Sequence, residues 1–175
     1  MPGPSSSSAA LPIAYFVLRM LVILNWAVGA GILALLFVLP NRQWLMTSLE
    51  LSPGPEADRI VMGFRSIAVL GLVTIPMNYA ILKRLLAIVD TVRAGDPFVA
   101  ANASYLQSIA WTLLVLQLVS ILIGTIAKRI STPGHPVHLD AGFSINGWLA
   151  VLLTFLLARV FAEGAMMRED LAGTV

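Results

Sequence analysis

The chain has 175 residues, of which 58% are hydrophobic and only 11% charged, and its mean hydropathy is +0.88. A soluble domain carries about 25% charged residues, so these charges cannot cover a water-exposed surface and part of the protein must face lipid. The formal net charge of +2 is spread over segment ends, which excludes a basic groove for direct nucleic-acid binding, and the absence of cysteine excludes disulfides, thiolate metal sites and thiol nucleophiles.

Residues 1–12, MPGPSSSSAALP, lack a periodic apolar pattern and are expected to form an irregular tail. The first apolar run, Ile13 to Leu39, has no basic segment before it, exceeds a signal-peptide core and ends in LPNRQW instead of a cleavage site, so a retained helix is expected. Further runs span Ile60–Leu82, Leu106–Ala127 and Ile145–Phe161. The first three reach the roughly 20 residues that cross a bilayer core. The fourth is short before Arg159, and Phe143 and Phe161 are expected to extend it to the interfaces. Continuous apolarity without alternation argues for helices over barrel strands. The expected fold is all-α, an integral membrane four-helix bundle over residues 13–175.

The connections differ in character. Pro40 to Arg59 is expected to be a surface loop with a short interfacial helix around Gln43–Leu49. In Lys83 to Tyr105, Leu85, Leu86, Ile88, Val89 and Val92 keep helical spacing, so the second helix should project past the membrane. Gly95 suits a helix C′ position, and Asp96-Pro97 suits a new N-cap followed by proline at N1. Lys128 to Asn146 is rich in proline and glycine and should be irregular. Basic residues near the ends favour N-in/C-in slightly, with Arg19, Lys83, Arg84, Arg93, Arg159 and Arg168 inside and Arg42, Arg59, Arg65, Lys128 and Arg129 outside.

Ionisable and amide side chains inside apolar runs are candidate intramembrane sites. These are Arg19, Asn25, Arg65, Asn78 and Gln117. Snorkelling to the interface is the preferred account of Arg19 and Arg65, and interhelical packing that of the three amides. The competing account is a polar path for a small molecule or ion. Pro76 is expected to bend the second helix. No GxxxG pattern marks a dimer face, although a homo-oligomer stays open. Arg159 and Glu163 stand i,i+4 and should pair.

No carboxylate pair with a pocket, metal-ligand set, phosphate loop or nucleophile elbow emerges. The cluster HPVHLD, with His135, His138 and Asp140, is interrupted by Pro136 and is not read as a metal site. Asn102-Ala103-Ser104 matches a glycosylation triplet but is expected on the cytoplasmic side. No catalytic residue and no cofactor is expected.

Two separated stretches resemble the bacterial DUF2975 family of small four-helix membrane proteins: LLAIVDTVRAGDPFVAANASYLQSIAW, Leu85 to Trp111, and ARVFAEGAMMREDLAGTV, Ala158 to Val175. Asp90, Gly95, Asp96, Pro97 and Phe98 carry the first, and Phe161, Glu163, Gly164 and Glu169 the second. The resemblance is taken to cover residues 13–175. The chain departs from the family pattern in AANASYLQS, where the family has more basic residues, and at Ala162, Met166 and Met167. The resemblance implies a multi-pass protein of the bacterial cytoplasmic membrane and, through the family's association with small helix-turn-helix regulators, an accessory or sequestering role.

The preferred expectation is therefore a non-enzymatic membrane regulatory protein. Its partner surface would comprise Asp90, Arg93, Gly95, Asp96, Pro97, Phe98, Glu163, Arg168 and Glu169. The lipid bilayer and a cytoplasmic transcription regulator are the expected partners. A small transporter or channel component is the alternative, and an enzyme acting on lipid or quinone is disfavoured because no nucleophile–base pair is present.

Overall fold

The computed structural model describes residues 7–38, 54–131 and 139–173. Among these residues are four helices: α1 (Ser7–Val38), α2 (Pro55–Arg93), α3 (Ala100–Ile130) and α4 (Ile145–Gly173). Each is long and apolar enough to cross a membrane, and there is no strand among the described residues. Together these features describe an all-α, multi-pass membrane protein. The expected interfacial helix around Gln43–Leu49 and the histidines 135 and 138 lie outside the described residues. The expected irregular tail is helical from Ser7 onward, with Pro12 inside the helix.

The helices are arranged as an open row. α1 packs on α2, α2 on α3 and α3 on α4, and among the described residues no other pair approaches. The expected assembly of four helices thus takes the form of a row, with no contact between α1 and α4 among the described residues. The inner side of α1 explains how a row can hold. Leu11, Tyr15, Leu18, Val22, Asn25, Gly29, Ile32 and Leu36 are among its less exposed residues, with Ala14 beside Tyr15, and these eight recur at alternating steps of four and three. That period of 3.5 is a narrow knobs-into-holes seam. Most of the other described residues of α1 are open to the surroundings, including Phe16, Ile23 and Phe37. In hydrocarbon such exposure carries no hydrophobic penalty, so a single seam is enough to hold a helix at the end of the row.

Close approach is set by glycine. Gly29 of α1 lies against Ile75 of α2, where a Cβ would stand 3.0 Å from the isoleucine Cγ2, and Gly63 of α2 lies against Ile130 of α3. Pro76 follows Ile75 inside α2 and removes the donor that the Leu72 carbonyl would have used. Beside this point the Asn25 amide donates to the Ile75 carbonyl at 3.1 Å, tying α1 to the interrupted turn. Trp26 and Tyr79 meet at 5.7 Å on the same seam.

These contacts set the levels of the charged residues. Arg65 and Lys83 are separated along α2 by about 27 Å at 1.5 Å per residue, close to the roughly 30 Å of a hydrocarbon core. Arg19 on α1 and Arg159 on α4 fall near the level of Lys83 and Arg84, given the antiparallel registers that pair Asn25 with Ile75 and Trp111 with Phe155. This end of the apolar spans of α1, α2 and α4 is thus marked by cations. Beyond that level α2 continues to Arg93, by about 14 Å, and α4 continues to Gly173, by about 21 Å.

The opposite end holds a second departure from expectation. The apolar part of α4 between Ile145 and Arg159 spans only about 21 Å, and the residues before it do not sit at the level of Lys128. Gly142, at φ +130°, lies beside Ser120, about 12 Å deeper along α3. Its N–H donates to the Ser120 hydroxyl oxygen at 3.2 Å, and its carbonyl accepts from that hydroxyl at 3.3 Å and, at a long 3.5 Å, from the Gln117 amide. Irregular backbone at this depth persists only where protein groups satisfy it. Phe143 therefore precedes a helix that starts within the apolar layer, rather than extending the span to the interface.

Candidate functional site

The two ends that project beyond the cation level meet in one structure. α2 stops in a complete Schellman turn. Gly95, at φ +83°, donates its N–H to the Val92 carbonyl at 3.1 Å, and Asp96 donates to the Thr91 carbonyl at 3.0 Å. The expected C′ role of Gly95 is thereby realised. The expected N-cap at Asp96 is not: α3 begins at Ala100 with Val99 as its cap residue and no side-chain capping bond. Pro97 and Phe98 lie between the helices and Val99 is extended, while the Asp96 carboxylate pairs with the Arg168 guanidinium of α4.

Asn102 holds the turn from inside. It is fully buried, at 0% exposure. Its amide nitrogen donates to the Thr91 hydroxyl oxygen at 2.6 Å and to the Pro97 carbonyl at 2.8 Å. The Thr91 hydroxyl donates in turn to the Ile88 carbonyl at 2.7 Å. One side chain thus fastens the end of α2, the loop and the start of α3 together. The glycosylation triplet at this position is accounted for structurally, since its asparagine has no access to solvent.

Phe98 seats the loop on α4. Its ring centroid lies 5.4 Å from that of Phe161, and its edge fills the space over Gly164, where a Cβ would come within 3.0 Å of the ring. A larger residue at 164 would displace it. Phe98 nevertheless keeps 45% of its surface exposed. Asp96, Phe98, Val99, Ala165, Arg168 and Glu169 border a shallow recess of about 270 Å³. Asp90, Arg93, Glu163, Arg168 and Glu169 are exposed around this seat.

The remaining candidates do not join it. Arg159 donates to the Glu163 carboxylate at 2.8 Å, the expected i,i+4 pair. Both partners are exposed, so Glu163→Gln should change unfolding free energy in detergent by no more than about 0.5 kcal/mol. Arg19 and Arg93 each stand 5.2 Å from the Tyr15 ring centroid. This contact binds the start of α1 to the end of α2 and keeps Arg19 at the interface level. Asn25 occupies the α1–α2 seam and Gln117, at 8% exposure, the α3–α4 seam. These two helix pairs share no contact with each other apart from α2 with α3, so the two amides do not converge. Asn78 is half-buried and Arg65 exposed on α2. The sequence does not single out Thr91, and it marks Asn102 only as part of a glycosylation triplet, not as a structural residue. Their only signal is position, a hydroxyl and an amide flanking the Gly95–Phe98 turn.

A protein-family model described as a protein of unknown function, DUF2975, matches residues 39–175. No curated protein and no solved structure matches the chain. The match begins just after α1 ends at Val38, so it covers α2 to α4 and not the whole span from residue 13. Both segments of the latched head lie within it.

Proposed function

Because the chain belongs to the DUF2975 family, whose activity is unknown, we propose from the geometry of the projecting head that it is a non-enzymatic membrane protein that docks a partner beside the bilayer. One observation carries this reading. Residues 90–98 and 161–169, far apart in sequence, are fastened into one head by Asp96–Arg168 and Phe98–Phe161. The head presents a mixed rim of Asp90, Arg93, Glu163 and Glu169. A preorganised surface of alternating charge around a half-exposed aromatic ring suits recognition of a protein surface. The row beneath it contributes anchoring.

The head is placed on the cytoplasmic side of a bacterial membrane in this proposal, with both termini inside. Support comes from Arg19, Lys83, Arg84, Arg93, Arg159 and Arg168, which all lie at or beyond that end. The partner suggested by the family resemblance is a small helix-turn-helix transcription regulator held away from its DNA. The test combines topology and binding. Since the chain has no native cysteine, Arg93→Cys gives a single thiol. It should resist a membrane-impermeant maleimide in intact cells and react after permeabilisation. Labelling of intact cells would place the head outside and end the regulator proposal. The regulator encoded nearest the gene should co-purify with the protein and be lost on Arg93→Glu with Glu169→Lys. Unchanged recovery would remove the rim from the interface.

A further inference from the structure

We propose that the groove between α2 and α3 is a binding site for one anionic phospholipid, with its phosphate at Lys83 and Arg84 and an acyl chain along α3. The site lies apart from the head, and the inference holds on whichever side the head faces.

The first observation is an unsatisfied cation. The Nη1 atom of Arg84 is buried and has no hydrogen-bond partner, although it is the end of a permanently charged group. Among the described residues no carboxylate is seen to pair with Lys83 or Arg84: Glu163 is paired with Arg159 and Asp96 with Arg168. Leaving such a donor without an acceptor is costly. A guanidinium presents a planar fork that matches a phosphate, with an ammonium beside it as a point charge.

The second observation is the shape of the surroundings. Tyr79, Ala80, Lys83, Arg84, Ala87 and Tyr105 line an open space of about 320 Å³. It contains both cations and is flanked by two phenols, which are donors to anionic oxygen. Adjoining it is a second space of about 370 Å³, which shares Ala80 and Arg84 with the first. Its walls are Pro76, Met77, Trp111, Thr112 and Val115, largely apolar and directed toward the middle of the span. The two form one groove, charged at the level where headgroups lie and apolar where chains lie. The interrupted turn at Pro76 borders its apolar part. Soluble anions need the first space only, whereas a phospholipid accounts for both.

The test uses Trp111, half of whose surface is exposed at the groove wall. Trp26→Phe, Trp44→Phe and Trp148→Phe leave it as the one indole. The protein is reconstituted in phosphatidylcholine vesicles containing a minor share of phosphatidylglycerol with brominated chains. Quenching of Trp111 should report about fivefold local enrichment over random mixing, the factor expected for a retained cation–anionic-lipid contact. Brominated phosphatidylcholine at the same share should show none.

Lys83→Gln, at an exposed position, should reduce the enrichment, and Lys83→Gln with Arg84→Gln should abolish it. Ala80→Phe, which fills the groove and leaves both cations, should abolish it too, while Arg129→Gln at the other end should leave it intact. Equal quenching by the two brominated lipids would overturn the proposal. So would full enrichment in the double variant, or an Arg129→Gln loss as large as that of Lys83→Gln. Relief of quenching by millimolar inorganic phosphate would overturn the lipid assignment in favour of a soluble anion.

Discussion

Gly124→Ala should destabilise the protein by about 2–3 kcal/mol. A Cβ on Gly124 would stand 2.5 Å from the carbonyl oxygen of Ala141 and 2.7 Å from Cα of Gly142. Those atoms are backbone and cannot rotate aside. The whole 139–144 segment would have to lift from α3, and with it the bonds between Gly142 and Ser120. At that depth the released N–H and carbonyl would meet hydrocarbon instead of water. The measurement is the midpoint of helix loss on titration of detergent-solubilised protein with dodecyl sulfate. Gly31→Ala is the paired control. Nothing lies within 4 Å of its Cβ position, and alanine is the better helix former by about 0.5–1 kcal/mol. It should be neutral or stabilising. Equal midpoints for the two variants would mean that the 139–144 segment does not rest on α3.

Asn102→Ala should cost about 2–3 kcal/mol by the same measurement. The Pro97 carbonyl loses its donor, and the space of a fully buried side chain is left empty. Asn102→Asp should be worse, because a carboxylate would face the Pro97 carbonyl and the oxygen of a Thr91 hydroxyl that is already donating to Ile88. Thr91→Val should cost less than either, since the amide keeps its bond to Pro97. The double variant should be less destabilised than the sum of the single changes by about 1 kcal/mol, as expected for groups in direct contact. Additive costs would show that Thr91 and Asn102 act separately.

Hydropathy made the four spans legible because lipid requires a long uninterrupted apolar run, and that requirement is local. The Gly95 turn was legible for a similar reason, since a positive φ at the end of a helix favours one residue type. The pairing of helices was not. In a soluble helix the buried face is apolar and the other face polar, but around α1 the seam residues Leu18, Val22 and Ile32 are no more apolar than the lipid-facing Phe16, Ile23 and Leu33. Which seam forms depends on shape, above all on Gly29 and Gly63, and composition hides shape. Asp96 was misplaced for another reason. Its type and the following proline are those of a helix start, but Arg168, more than seventy positions later, offers the carboxylate a stronger partner. Gln117 read as either packing or path, and only the three-dimensional position of Gly142 shows that it serves irregular backbone.

The open row has a consequence for how the chain is made. Among the described residues every helix–helix seam joins consecutive helices, so each hairpin can mature as soon as its second helix leaves the translocation machinery. No early segment must wait, exposed, for a late one to close a ring. Such short-range wiring favours rapid assembly. It also means that a ribosome stalled after α3 would release a product with both of its earlier seams in place, lacking the α3–α4 seam and the partners that α4 provides for Asp96 and Phe98.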